Sequence, residues 1–174
     1  MSWGVQIMND VNNILTELDE KTDLIFTHQM LMGSYQSIPR DYGTGLFISE
    51  TEAHALLYIK NNPGITAKRV GEIMNRTKGT ISLIIGFLEN NELIRHKVNP
   101  SNKRERLLYV TEKGQNTCEK HLAYDRKMTS DILLMLLQYC NSEEVNGFFK
   151  VLSLRIKYFQ EVIAKEKEIN SKRR

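Results

Sequence analysis

The chain has 174 residues, of which 41% are hydrophobic and 26% charged, with a formal net charge of +3, the size of one domain or of a compact domain with an elaboration. No apolar run reaches the roughly 18–20 residues that span a bilayer, and Met1–Asp10 has no basic stretch ahead of an apolar one, so neither a membrane segment nor a signal peptide is expected and the cytoplasm is the expected compartment. The charge is uneven: residues 1–67 hold three Lys/Arg and eight Asp/Glu (net −5), residues 68–106 nine and four (net +5), and residues 107–174 carry +3, so one basic segment is set to meet a polyanion while its neighbours are not.

Val11, Ile14, Leu15, Leu18, Ile25 and Leu31/Met32 recur at helical spacing with polar and acidic residues between them. This predicts a long amphipathic helix from about Ser2 to Tyr35. Gly33-Ser34, Pro39 and Gly43-Thr44-Gly45 then cluster as a loop. Ser49-Glu50-Thr51-Glu52 reads as a capping box that opens a helix with Ala53, Leu56 and Leu57 inward. Asn61-Asn62-Pro63-Gly64 stops it. Thr66 caps a short helix that buries Val70, Ile73 and Met74, and a turn at Asn75-Arg76 follows. Thr77 caps the next helix, whose inner side carries Ile81, Ile84, Ile85 and Leu88, and Asn90-Asn91 ends it.

Two β-prone runs, Leu93–Val98 and Arg106–Val110, are joined by Asn99-Pro100-Ser101-Asn102-Lys103-Arg104, which predicts a hairpin with a long tip. From Thr111 the chain is helical again, through a helix carrying Cys118, Leu122, Ile132, Leu133, Leu136 and Leu137. Ser142-Glu143-Glu144 opens a last helix with the stripe Val145, Phe148/Phe149, Leu152, Ile156, Phe159 and Ile163. Lys165–Arg174 is a charged tail expected to fray.

A short helix, a turn and a second helix that opens on small polar residues form a helix-turn-helix, whose second helix reads base edges in the major groove. Thr77, Lys78, Thr80 and Ser82 point away from the Ile81/Ile85/Leu88 side, Gly79 lets the backbone come close, and the amides at the helix start favour an anion. Lys103, Arg104 and Arg106 make the hairpin basic, suited to a minor groove. Adding Thr66, Lys68, Arg76 and Leu83 completes the set expected to meet double-stranded DNA.

Ile65-Thr66-Ala67-Lys68-Arg69-Val70-Gly71-Glu72-Ile73-Met74 through Thr77–Ser82, Leu88–Ile94, Asn99–Arg104 and Val110-Thr111-Glu112-Lys113-Gly114 resemble the winged helix-turn-helix of MarR-family regulators, over roughly residues 49–116. The resemblance implies a mainly α fold with a small β-wing: a dimerisation helix and loop over 1–45, the winged helix-turn-helix over 46–112, and two dimerisation helices over 113–174. It further implies a cytoplasmic homodimer on a pseudo-palindromic operator, most often repressing and released by a small aromatic or amphipathic effector.

The sequence departs from that pattern in places. Where relatives carry Asp two residues before the wing arginine, this chain has Asn102. A charge-assisted brace on Arg104 becomes a neutral hydrogen bond, roughly half as strong. Leu83 and Phe87 occupy positions often basic in relatives, which reduces phosphate contacts or lets Leu83 meet a thymine methyl.

The dimer also has a physical basis. The outer helices carry more apolar surface, in Val11, Leu15, Leu18, Phe148, Phe149, Leu152, Ile156, Phe159 and Ile163, than the winged lobe covers. An effector is expected near the junction of the lobes, with Met32, Tyr35, Phe47 and His54 as candidate lining residues.

Nothing points to an enzyme, a cofactor or a bound metal. Gly43-Thr44-Gly45 lacks a preceding strand and a third glycine, there is no His-Glu-x-x-His or serine elbow, and His28, His54, His96 and His121 are scattered. Cys118 and Cys140 form neither a disulfide framework nor a zinc motif. Cys118 and His121 do share a helix face, so a metal- or redox-responsive regulator is an alternative, as is a winged helix that binds protein rather than DNA.

Overall fold

The computed structural model describes residues 11–12 and 15–172. The start of the expected N-terminal helix and the last two residues of the tail lie outside them. The chain divides into two bodies, residues 1–121 and 122–174.

In the first body, helix α1 (Leu18–Ser37) follows Glu17, whose φ of 60° is left-handed. The single helix expected from Ser2 to Tyr35 is therefore interrupted at Glu17. Nor is α1 amphipathic. Leu24-Ile25-Phe26 and Met30-Leu31-Met32 are consecutive apolar runs, so they point in several directions, and all six are exposed in the single chain. A helix apolar on more than one side is one that other helices surround.

The expected loop after α1 holds a small ribbon, β1 (Arg40–Asp41) paired antiparallel with β2 (Phe47–Ile48). Its turn is tied by Asp41, whose Oδ1 accepts from the amides of Gly43, Thr44 and Gly45 at 2.8, 2.8 and 3.0 Å. A strand does precede Gly43, but these amides are occupied by the chain's own carboxylate.

Helix α2 (Glu50–Asn61) begins with the expected capping box. Ser49 Oγ accepts from the Glu52 amide at 3.3 Å, and Glu52 Oε2 accepts from the Ser49 amide at 2.8 Å. Ala53, Ala55, Leu56, Leu57 and Ile59 are buried. Gly64, at φ +84°, turns the chain into β3 (Ile65–Thr66), a strand not expected from the sequence.

Helices α3 (Ala67–Met74) and α4 (Lys78–Asn90) follow. Val70 is fully buried in α3, whereas Ile73 and Met74 are only half-buried. Ile81, Ile84, Ile85 and Leu88 line the inner side of α4 as expected.

Strand β4 (Ile94–Asn99) pairs antiparallel with β5 (Asn102–Val110), and β3 joins the other edge of β5. The hairpin tip is shorter than expected. Asn99 pairs with Asn102, so only Pro100 and Ser101 turn the chain, and the extra residues enter as an irregularity beside Val98/Asn99. Lys103 and Arg104 therefore belong to β5 rather than to a loose tip.

Helix α5 (Glu112–Leu136) starts against the wing. Thr111 Oγ1 accepts from the Gly114 amide at 3.1 Å and donates to the carbonyls of Glu92 at 2.7 Å and Leu93 at 3.1 Å. A Cβ at position 114 would stand 2.0 Å from the Leu93 carbonyl oxygen. Glycine at that position is what lets the helix sit on the sheet.

The second body contains the rest of α5 and helix α6 (Ser142–Lys172). Asn141 caps α6: its Oδ1 accepts from the amides of Glu143 and Glu144, and Glu144 Oε2 accepts from the Asn141 amide. The helix continues through the charged segment expected to fray, as far as Lys172. None of its residues is buried in the single chain, and Phe148, Phe149, Leu152, Ile156 and Phe159 are exposed. Among the described residues no helix is long and apolar enough to cross a membrane.

Candidate nucleic-acid interface

Asn75 and Arg76 turn the chain between α3 and α4, and Thr77 caps α4, as expected. Asn75 makes the turn possible by adopting φ 52°, which an asparagine tolerates better than most residues. A Cβ at Gly71 would meet Ile81 Cγ1 at 3.1 Å, so the two helices pass with little space to spare.

At the start of α4, Thr77 Oγ1 accepts from the Thr80 amide at 3.2 Å and lies 2.9 Å from Thr80 Oγ1. Both hydroxyls are thus partly engaged in holding the helix start. Thr77, Lys78, Gly79, Thr80, Ser82 and Leu83 are all exposed, Leu83 at 78%. Phe87 is half-buried and so differs from Leu83, with which the sequence grouped it. Gly79 has open space around it, with only Thr77 Oγ1 within 4 Å.

Arg76 and Lys68 are exposed, and Thr66 is partly covered because its hydroxyl caps α3 through the Arg69 amide. Lys68 and Arg69 both approach Glu72, at 4.0 and 2.9 Å, which offsets part of the charge of α3. In the wing, Lys103, Arg104 and Arg106 are exposed. Asn102 Oδ1 accepts from the backbone amide of Arg104 at 3.2 Å, so the neutral brace holds the arginine's main chain and not its guanidinium. Asn99 Nδ2 donates to Glu105 at 2.6 Å across the tip.

Sequence reasoning did not single out three groups that stand close by. Arg95 and Lys97 are exposed on β4, adding to the basic wing. His96 Nδ1 lies 2.8 Å from Glu89 Oε1 and links β4 to the end of α4. A wing residue contacting α4 depends on how the hairpin folds back, which local pattern does not encode.

Of the candidate effector residues, Met32 and Phe47 are exposed, at 40% and 66%. Tyr35 is half-buried beneath the Arg40 guanidinium, 3.8 Å from its ring centroid. His54 is half-exposed on α2, with Nε2 3.7 Å from Glu50 Oε1. Its ring stands edge-on to that of His121, with centroids 5.1 Å apart. His121 also meets the Tyr42 ring at 4.8 Å.

Cys118 and His121 do share one face of α5, and it is a buried face. Burial pushes the Cys118 thiol up to about 11, against the pull of Lys60. A thiol so protonated is a poor nucleophile at neutral pH, which counts against the redox alternative at this residue.

Residues 48–105 match the model of the MarR family. No curated protein sequence matches the chain. Among solved structures, Streptococcus pneumoniae FabT, crystallised in complex with DNA, is 20% identical with a TM-score of 0.61, covering 84% of this chain and 98% of FabT. A MarR family transcription regulator gives 20% identity and a TM-score of 0.67, covering 86% and 97% of the two chains. Lactococcus lactis ZitR, described as zinc-responsive, gives 18% and 0.61, covering 82% and 99%. At these identities the likeness is one of fold, a winged helix within a mainly helical chain. Over the helix-turn-helix and wing, residues 48–105, the chain matches the MarR family model, and over most of its length it shares the fold of these regulators.

Proposed function

We infer that the protein is a sequence-specific DNA-binding transcription regulator, acting as a homodimer and as a repressor on a pseudo-palindromic operator. The observation that carries this reading is the exposure of Thr77, Lys78, Thr80 and Ser82 at the start of α4 together with that of Lys103, Arg104 and Arg106 in the wing. Short hydroxyls and an amine at the start of α4 suit phosphates and base edges, while the wing arginines suit a minor groove. Thr66, Lys68, Arg76, Gly79 and Leu83 complete the contact set, with Leu83 offered to a thymine methyl. The crystallisation of FabT with DNA supports the same use of this fold.

Dimerisation is supported by the uncovered apolar residues of α1 and α6, since patches of that extent are unusual on monomers. Two-fold pairing would set two α4 helices about one DNA turn, or a multiple of it, apart. Release by a small aromatic or amphipathic effector, touching Met32, Tyr35, Phe47 and His54, completes the proposed cycle.

The exposed Leu83 also favours a second reading, a winged helix whose α4 docks a protein. Fluorescence anisotropy on promoter-region duplexes separates the two. Lys78→Ala and Arg104→Ala are each expected to weaken binding to every sequence and to lower the salt slope by about one. A folded protein that binds no duplex at low salt contradicts the regulator reading and favours the second.

A further inference from the structure

Strand β3 reaches only Leu107 and Leu108 of β5, whose partners on β4 are Lys97 and His96. Past that point the wing, with Lys103, Arg104 and Arg106, is a ribbon of two strands, which needs packing to hold one orientation. At the foot of the ribbon, His96 Nδ1 lies 2.8 Å from Glu89 Oε1, in the last turn of α4. A carboxylate there stands at the negative end of the helix dipole, and α4 has no basic residue in that turn. The wing supplies the cation that suits this position, once the imidazole is protonated.

The surrounding charges are few. Glu89 and Lys78 are the charged residues of α4, and Lys78 lies at its other end. On β5, Leu108 stands opposite His96, and Arg106, two residues along, shares its face. On β4, Arg95 and Lys97 alternate to the other face, where Lys97 lies 5.4 Å from the Tyr109 ring centroid.

We propose that His96 is a positioning residue that, when protonated, ties the wing to α4 through Glu89, so that duplex affinity rises as pH falls. The effect on affinity rests on the DNA-binding reading; the tie itself does not. Imidazole changes charge between about pH 5 and 8. Below that interval the two groups form an ion pair, and above it a hydrogen bond from a neutral ring. A tied wing and α4 meet the duplex with less freedom left to lose on binding. The side chains are 38% and 28% exposed, so the gain is that of a surface pair, about two- to fivefold in affinity.

The test is a double-mutant cycle of His96→Gln, Glu89→Gln and both together, in the full-length protein at about pH 6 and pH 8 and constant ionic strength. Anisotropy on a promoter-region duplex should show each single variant losing the two- to fivefold gain at the lower pH, with no further loss in the double. Titration of the other histidines is common to all four proteins and cancels in the cycle. Thermal unfolding without DNA should show a coupling of about 1–4 °C in Tm at the lower pH and none at the higher. A Glu89→Gln protein that keeps the parent's pH profile overturns the proposal, because His96 then acts on the duplex by its own charge. Additive losses in the two single variants, or no coupling in Tm at the lower pH, overturn it as well. Coupling in Tm without duplex binding by the parent supports the tie and contradicts the DNA-binding reading instead.

Discussion

At the scale of single residues, Gly114 and Thr111 show how much a short motif can carry. Val110-Thr111-Glu112-Lys113-Gly114 is legible in the sequence as a strand end and a helix start, and the structure supplies the reason for its spacing. Thr111 ties the helix start to two carbonyls, and Gly114 removes the one Cβ that would collide with Leu93. Gly114→Ala forces backbone apart rather than a flexible side chain, so it should cost at least about 1–3 kcal/mol, the range of overpacking. Thermal unfolding of the purified variant checks this. Cys118 supports two further expectations. In the native protein it should resist iodoacetamide near neutral pH, whereas the partly exposed Cys140 should react; comparable rates for both would contradict its burial. Its folded-state pKa is raised from 9.0 to about 11, so the folded state holds the proton more tightly. That stabilisation is complete below pH 9 and is lost as pH rises through about 11. Cys118→Ala should flatten the decline in Tm over that window. The proximity of His54 to His121 was not legible, because it joins residues from two helices through a tertiary approach that no local spacing records.

Among the elements, those closed by local chemistry were legible and those closed by distant partners were not. The Ser49–Glu52 box, the Thr66 and Thr77 caps and the inner face of α4 all follow from residues within one or two turns. Ser49→Ala should cost about 1 kcal/mol, a drop of roughly 2–4 °C in Tm for a chain of this size. Strand β3 escaped notice because two residues carry no alternation, and only pairing with Leu107 and Leu108 makes them a strand. The wing tip was read as long because Asn102, Lys103 and Arg104 look like turn residues. Pairing of Asn99 with Asn102 overrides that local preference. The interruption at Glu17 has no glycine or proline to announce it.

For the whole molecule, the charge map and the apolar surface set a basic winged segment beside helices whose apolar residues are uncovered in the single chain. The acidic first third and the basic segment 68–106 were visible from composition alone. The exposure of α6 along its whole length was not, since a stripe of apolar residues reads the same whether its partner is in the same chain or another. Light scattering should give twice the 20.2 kDa chain mass. Replacing Phe148 and Phe159 by Asp should shift the protein toward monomer and weaken operator binding, while Lys78→Ala should leave the mass unchanged. The most direct measurement is duplex affinity against salt, made with the purified protein and fragments bearing an inverted repeat. The predicted result is one dimer per repeat, with log K falling linearly as log salt rises and with a shallower slope in Arg104→Ala. Duplex binding that is absent at low salt, or insensitive to salt and to Lys78 and Arg104, would contradict it.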